Sequence, residues 1–306
     1  MLSYLVAMAT FGTIYALLAL GLNVMWGMAG MVNLGVVGFY AVGAYASALV
    51  TVNLGLPVAL GLVVAMAVTA AAGVVTCLGL TRLRDDYFAV VTLGFAEVIR
   101  IVASNETWLT RGSDGISGIP QPLKAVLGAD FNLAYLGLCL AILAVVLALL
   151  ERLRTSPFGR VLRAIREDPT VAAVAGKNVL MFKIKAFALG GIVAGLAGAL
   201  YGHYTSYIVP DIFEPIVTIY IFLALTAGGR GNNWGAVLGA FLVVFVLEST
   251  RFAAAVLPAI GPVQLAAVRE MLIGLLLLVV LRVRPEGLLP EPRARLGAGK
   301  VPAPAP

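Results

Sequence analysis

The stretch IKAFALGGIVAGLAGALYGHYTS, residues 184–206, is the clearest indicator of the fold of this chain. Lys185 is the only Lys, Arg, Asp or Glu in this stretch. The length of the stretch exceeds the roughly 20 mostly apolar residues that a helix needs to cross a bilayer. The stretch is rich in glycine and alanine, which let neighbouring helices approach closely inside a membrane. We therefore expect a membrane-spanning helix that packs within a bundle.

The rest of the chain has the same apolar character. Of its 306 residues, 61% are hydrophobic and 12% are charged, whereas soluble domains are about half apolar and about a quarter charged. We predict an all-α polytopic membrane protein with about nine spans, in the range of roughly eight to ten. The expected spans are residues 2–25, 31–52, 57–80, 86–104, 132–151, 184–206, 213–229, 233–250 and 264–282.

The second expected span differs from the others because it is rich in glycine. The stretch from 27 to 45 contains Gly27, Gly30, Gly35, Gly38 and Gly43. Glycine is a poor helix former, and exposed backbone is tolerated at membrane depth only where protein or a water-filled cavity covers it. This span is therefore expected to be either broken or re-entrant.

The net charge of +6 is concentrated on one side of the expected spans. That side holds the loop at 152–183 and the C-terminal segment. Because cytoplasmic loops carry the excess of Lys and Arg, we expect these parts in the cytoplasm and the N-terminus and the loop at 105–131 outside. Residues 1–284 then form the transmembrane domain, and residues 285–306, rich in Pro, Ala and Arg, form a disordered cytoplasmic tail.

The loop at 152–183 is the most informative soluble part of the chain. The apolar residues Phe158, Leu162 and Ile165 recur at helical spacing, and arginines occupy the remaining face. This pattern predicts a short amphipathic helix outside the membrane. Such a helix either docks into a groove on a cytoplasmic partner or lies on anionic lipid at the membrane surface.

A second short helix is expected directly after the first. Asp168 can cap this helix, and Pro169 suits its first position. Gly176 suits its end. The small residues at 170–176 allow close packing against another protein, which favours docking over lipid binding.

A phosphate-binding loop is missing from the sequence. A P-loop needs Gly, four residues, and then Gly-Lys-Ser/Thr, but Gly176-Lys177 is followed by Asn178 and Gly299-Lys300 by Val301. We expect no catalytic residues, no metal site and no cofactor in this chain, and hence no enzyme activity. Any ATP must be hydrolysed by another subunit.

Polar groups within the spans are the candidates for a solute pathway. Glu97 and Arg100 stand one helical turn apart, so they either neutralise each other structurally or meet the charges of a zwitterionic solute. Further candidates are Asn23, Asn33 and Tyr45, for which the alternative is hydrogen bonding between helices. An ion-gradient transporter would need a relay of carboxylates or histidines in the membrane, and the candidates for such a relay are few.

Seven segments of the chain, in this order, carry a family resemblance. They are GLNVMWGMAGMVNLGVVGFYAVGAYA (21–46), RLRDDYFAVVTLGFAEVIRIV (82–102), GSDGISGIP (112–120), SPFGRVLRAIREDPTVAAVAG (156–176), KIKAFALGGIVAGLAGALYGHY (183–204), AGGRGNNWGAVLGA (227–240) and RPEGLL (284–289). Together they resemble the LivM-type permease subunits of branched-chain amino acid ABC importers. Each segment alone is a weak motif, and their shared order makes the resemblance specific.

The resemblance implies a permease that imports branched-chain or related small amino acids by ATP-driven alternating access. It implies two cytoplasmic ATP-binding subunits that hold ATP and Mg, a second related permease subunit, an extracytoplasmic solute-binding protein and a location in the bacterial inner membrane. An ion-gradient-driven secondary transporter of a small polar solute is the first alternative. A passive channel is the second.

The resemblance also implies two docking regions. The expected ATPase-docking residues are Phe158, Arg160, Leu162, Arg163, Ile165, Arg166, Glu167, Asp168, Ala172 and Gly176. The fit to the family's EAA-like motif is loose, because Thr170-Val171-Ala172 stands where that motif has Glu-Ala-Ala. The expected binding-protein contacts are Ser113, Asp114, Gly115 and Ile116. A plain turn cluster is the alternative for that outer loop.

One position in the second span departs from the family pattern. In many relatives a His follows the Leu-Gly of this span, whereas here Leu34-Gly35 is followed by Val36. If that position faces the pathway, the selectivity can differ from the leucine type. In such systems the binding protein largely chooses the solute.

Overall fold

The computed structural model describes residues 2–80, 83, 85–122, 124–256 and 262–291. The helices are α1 Leu2–Leu22, α2 Val36–Val52, α3 Val58–Leu80, α4 Asp85–Asn105, α5 Thr107–Thr110, α6 Lys124–Leu127, α7 Phe131–Thr155, α8 Pro157–Glu167, α9 Pro169–Val174, α10 Val179–Thr205, α11 Pro215–Gly228, α12 Asn233–Val256 and α13 Pro262–Val283. A π-helical turn covers Asn23–Met28, and 3-10 turns cover Gly112–Asp114, Gly128–Asp130 and Pro210–Phe213. Two short strands, β1 Ile116–Ser117 and β2 Tyr207–Ile208, pair in antiparallel fashion.

The helices confirm an all-α, multi-pass membrane protein. Within the described part of the chain, 6 helical stretches are long and apolar enough to cross a membrane. They are Ser3–Met28, Val58–Leu80, Tyr87–Asn105, Phe131–Thr155, Val179–Thr205 and Pro210–Gly228. The apolar stretches Val36–Val52 and Asn233–Glu248 are shorter, and α13 covers the ninth expected span without being among the six. The predicted count of about nine spans is therefore not confirmed.

The opening stretch forms α10, which lies at the centre of the bundle and packs against α1, α2 and α3. Glycine permits this packing. A Cβ atom added to Gly43 of α2 would lie 2.2 Å from the Gly195 carbonyl oxygen of α10. A Cβ atom on Gly21 of α1 would lie 2.8 Å from the Gly190 oxygen of α10. At these points one helix backbone touches the next, as the small residues predict.

The glycine-rich second span is interrupted. Helix α1 passes into the π-helical turn at Asn23–Met28, and α2 begins only at Val36, so the expected start at residue 31 is wrong. Protein groups satisfy the backbone of the gap: the Leu34 N–H donates to Thr92 Oγ1 at 3.0 Å, and the Gly35 N–H donates to Asn33 Oδ1 at 2.8 Å. We call residues Asn23–Gly35 the helix break.

One end of the bundle carries α8 and α9, and we call it the coupling end. Helix α8 packs there against α7, α10 and the π-helical turn. The same end holds residues Arg284–Glu291, which we call the strap. The strap was expected to belong to a disordered tail beginning at residue 285, yet its Leu288 N–H donates to the Ala227 carbonyl at 2.8 Å. The remainder of the expected tail, 292–306, lies outside the described residues.

Candidate functional site

The coupling end begins with two capped helices. Pro157 occupies the first turn of α8, and Ser156 Oγ accepts from the Gly159 N–H at 3.3 Å. Asp168 Oδ1 accepts from the Thr170 N–H at 2.7 Å and from the Val171 N–H at 3.1 Å, so α9 starts where Asp168-Pro169 predicts.

The Asp168 cap is charged at neutral pH. The backbone hydrogen bond from Val171, followed by that from Thr170, lowers the pKa of the Asp168 carboxyl below its usual range. These bonds favour the ionised form. The contribution of the cap to stability is therefore present above the usual aspartate pKa and is lost as the pH falls through the lowered value.

The apolar stripe of α8 faces the protein itself. Leu162 is 0% exposed and Ile165 is 2% exposed. Phe158 stacks on Phe182 with ring centroids 5.3 Å apart. Ala172 of α9 is buried as well. These residues of the expected docking set therefore hold the loop to the bundle.

The expected docking set divides into an inward and an outward group. Arg163 and Arg166 turn toward the strap, where their guanidinium groups meet Glu291. Arg160, Glu167, Asp168 and Gly176 are exposed. Val171 and Val174 of α9 lie within the stretch 170–176 but outside the expected docking set, and they are 65% and 86% exposed. Their spacing of three residues on one helix face, beside buried Ala172, was the signal that could have identified them.

Asn23 uses both ends of its side-chain amide inside the protein. Its Nδ2 donates to Asn233 Oδ1 at 2.9 Å, and its Oδ1 accepts from the Gly231 N–H at 2.9 Å. Asn233 in turn donates to Glu151 Oε2 at 3.0 Å. This buried network joins the helix break to the start of α12 and the end of α7. The Asn23 side chain thus makes the hydrogen bonds between helices that were the alternative to lining a solute pathway.

Asn33 is also committed to protein groups. Its side chain is 0% exposed. The Oδ1 atom accepts from the Gly35 N–H, and the Nδ2 atom donates to Met25 Sδ at 3.0 Å. Asn33 thus shapes the helix break, and both of its partners, Met25 and Gly35, lie within that break rather than on another helix.

Two tyrosines of α2 are buried with unsatisfied hydroxyl groups. Among the described residues, neither Tyr40 nor Tyr45 finds a hydrogen-bond partner for its hydroxyl. Both rings pack against Phe213, with centroids 5.2 and 5.8 Å apart. A buried hydroxyl normally has a partner, so this aromatic cluster is a candidate contact for a polar solute. The sequence pointed to Tyr45 and missed Tyr40 on the same helix and Phe213, which is distant in sequence.

Glu97 and Arg100 form the expected ion pair on α4. The Arg100 Nη2 and Glu97 Oε1 atoms are 2.5 Å apart. Arg100 also lies 3.6 Å from an Asp211 carboxylate oxygen, in the 3-10 turn that carries Phe213. The pair therefore connects α4 to the turn beside the aromatic cluster, and both residues remain partly exposed.

The opposite end of the bundle holds the expected binding-protein contacts. Ser113 and Asp114 are exposed, whereas Gly115 and Ile116 are buried. Ile116 pairs with Ile208 across β1 and β2. A Cβ atom on Gly115 would lie 2.1 Å from the Ile208 oxygen. Of the four expected contacts, two are thus available to a partner and two anchor the loop.

His203 secures the loop at 105–131. It is 1% exposed, its Nδ1 lies 2.8 Å from the Pro120 carbonyl oxygen, and its Nε2 lies 2.8 Å from Ser47 Oγ. The loop also connects to the chain after α10, since the Ile119 N–H donates to the Ser206 carbonyl at 3.2 Å. This loop, α2 and the segment that leads to Phe213 therefore form one connected unit.

Comparisons with known proteins agree with this architecture. A family described as "Branched-chain amino acid transport system / permease component" matches residues 4–281. The high-affinity branched-chain amino acid transport system permease protein LivM of Escherichia coli is 33% identical over 95% of this chain and 71% of its own length. The probable branched-chain amino acid transport permease protein LivM of Methanocaldococcus jannaschii is 33% identical over 69% of this chain and 61% of its own. The high-affinity branched-chain amino acid transport system permease protein LivH of E. coli is 25% identical over 92% of this chain and 93% of its own length. No solved structure matches the chain.

Proposed function

Because this chain belongs to the LivM-type permeases of the branched-chain amino acid transport family, we propose that it is one permease subunit of an ATP-driven importer. The importer moves branched-chain or related small amino acids across the bacterial inner membrane. Two cytoplasmic subunits bind and hydrolyse ATP with Mg, and an extracytoplasmic protein delivers the solute. A second, related permease completes the pore, which the similarity of this chain to both LivM and LivH supports.

The observation that carries this proposal is the exposed valine pair of α9. Val171 and Val174 of α9 are exposed, whereas the large apolar side chains of the neighbouring α8 are buried or half-buried. Acidic Glu167 and Asp168 stand at the start of α9, which disfavours contact with anionic lipid. The valine pair therefore suits a groove on the ATPase, with Arg160 at the rim.

At the opposite end, Ser113 and Asp114 offer the surface for the binding protein. These residues sit on a loop that β1 and β2 join to the segment leading to Phe213. Docking there would act on the aromatic cluster of Tyr40 and Tyr45. The solute pathway in this proposal runs past that cluster and the Glu97–Arg100 pair.

The proposed cycle is alternating access. ATP binding and hydrolysis move the ATPase subunits, and α9 passes the movement to α8 and to the bundle. Backbone contacts at glycine, such as Gly43 on Gly195, let α2 and α10 shift with little side-chain interdigitation. The chain supplies the pathway and its partners supply the energy.

Replacing Val174 with Asp tests the docking face. The added charge would have to be buried at the ATPase interface, so we expect ATPase recovery to fall by about tenfold or more, equivalent to about 1.4 kcal/mol. The measurement is the amount of ATPase that co-purifies with the tagged chain in mild detergent.

The matched control is Leu127→Asp, an exposed apolar residue of the short helix α6 at the other end. This variant should keep its ATPases. Full recovery of ATPases by Val174→Asp would overturn the docking assignment. Gradient-driven solute accumulation by this chain alone, without nucleotide, would instead support the secondary transporter.

A further inference from the structure

The strap ends in a carboxylate that meets two arginines of α8. Glu291 Oε2 lies 2.8 Å from Arg166 Nη2, and Glu291 Oε1 lies 3.8 Å from Arg163 Nη1. All three side chains are less than a quarter exposed. Because partial burial reduces screening by water and salt, these contacts are stronger than open surface pairs.

The strap is itself joined to α11. The Leu288 N–H donates to the Ala227 carbonyl and the Leu289 N–H to the Gly228 carbonyl, both at 2.8 Å. These carbonyls belong to the last turn of α11, where the helix has no donors of its own to offer. A Cβ atom on Gly287 would lie 2.4 Å from Gly229 Cα. The strap therefore caps the C-terminal end of α11.

Arg166 also reaches the helix break. Its guanidinium Nη1 donates to the Gly27 carbonyl of the π-helical turn. A Cβ atom on Gly30, whose φ is +77°, would lie 3.0 Å from Arg166 Cγ. One arginine of α8 thus contacts the helix break directly and α11 through the strap.

We propose that Glu291 is a positioning residue that makes α8, the helix break and the end of α11 move as one unit. Its carboxylate orients Arg166, and Arg163 closes the contact from the neighbouring turn of α8. Movement imposed on α9 by a partner then reaches α2, through the break, and α11 together. The transport consequence rests on the proposed function, whereas the mechanical link is a property of this chain alone.

The mechanical link is tested without any partner. Glu291→Gln keeps the shape and removes the charge, so we expect amide hydrogen exchange in α8 of the purified chain to rise by about tenfold as the helix detaches locally. Glu291→Asp keeps the charge on a shorter side chain and should give a smaller rise. Glu106→Gln, an exposed residue at the opposite end, should leave α8 unchanged.

The second measurement uses the complete complex in proteoliposomes. Glu291→Gln should retain its ATPases and raise the ATP hydrolysed per solute imported by several-fold, with partial rescue by Glu291→Asp. Unchanged exchange in α8 would overturn the link, and raised exchange with an unchanged ATP-to-solute ratio would overturn its role in coupling. If exchange rises but the wild-type complex shows no ATP-dependent uptake, the link stands and the proposed function fails.

Discussion

At the scale of single residues, the polar side chains that hold the helix break are hydrogen-bonded within the protein. Asn23, Asn33 and Arg166 each hold the helix break in place through hydrogen bonds to backbone or side-chain groups. The tyrosine hydroxyls of Tyr40 and Tyr45 are different, because they are buried without a partner among the described residues. Residues with completed hydrogen bonds hold the helices together, and the unsatisfied hydroxyl groups are the better candidates for contacting a solute.

Asn23→Ala should destabilise the protein. The substitution leaves the Gly231 N–H and the Asn233 side chain without their buried partner, which costs about 1–3 kcal/mol. Thermal unfolding of the purified chain in detergent should occur at a lower temperature. Asn132→Ala, at an exposed position near the start of α7, provides the control and should unfold like the wild type. Equal stability of the two variants would show that the Asn23 network adds nothing.

At the scale of elements, α10 organises the bundle through direct backbone contact. Its glycines meet α1 at Gly21 and α2 at Gly43. Amphipathic α8 is held by side chains instead: its apolar stripe contacts the bundle and its arginines contact the strap. The central helices are thus packed through backbone contacts at glycine. Helix α8 is attached to them through its apolar side chains and its arginines.

Gly43→Ala should disturb the contact between α2 and α10. The new Cβ atom would lie 2.2 Å from the Gly195 carbonyl oxygen, and a backbone cannot yield as a flexible side chain does. We expect a loss of about 1–3 kcal/mol from overpacking, measured as a lower unfolding temperature in detergent.

Gly137→Ala on α7 is the matched control for that packing test. No atom lies within 4 Å of its added Cβ, and alanine favours a helix over glycine by about 1 kcal/mol. This variant should therefore unfold at the same or a higher temperature. A stable Gly43→Ala protein would mean that the two helices are free to move apart.

At the scale of the whole molecule, the two ends carry different surfaces. The coupling end presents α9 and the strap, and the opposite end presents the loop with Ser113 and Asp114. His203 and the Arg166–Glu291 contact tie each end to the central helices. Packed residues therefore connect the loop with Ser113 to the aromatic cluster, and α9 through α8 to the helix break.

Cysteine labelling tests which end faces the cytoplasm. The native Cys77 and Cys139 are buried, so the wild-type chain should react little with a membrane-impermeant maleimide. Ser113→Cys should be labelled in spheroplasts, whereas Ala175→Cys, at the exposed end of α9, should be labelled only in inside-out vesicles. The reverse pattern would invert the proposed orientation.

The membrane class, the capped helices around Asp168, the interruption near Gly30 and the family could all be predicted from the sequence. These properties follow from hydropathy, capping and glycine content within a few neighbouring residues. The packing of the helices was needed to show that the α8 stripe faces inward, that Val171 and Val174 face outward, and that Glu291 belongs to the fold. The physical reason is twofold: an apolar stripe suits lipid, partner and bundle equally well, and Arg166 meets Glu291 across 125 positions of sequence, a pairing that only the assembled helices define.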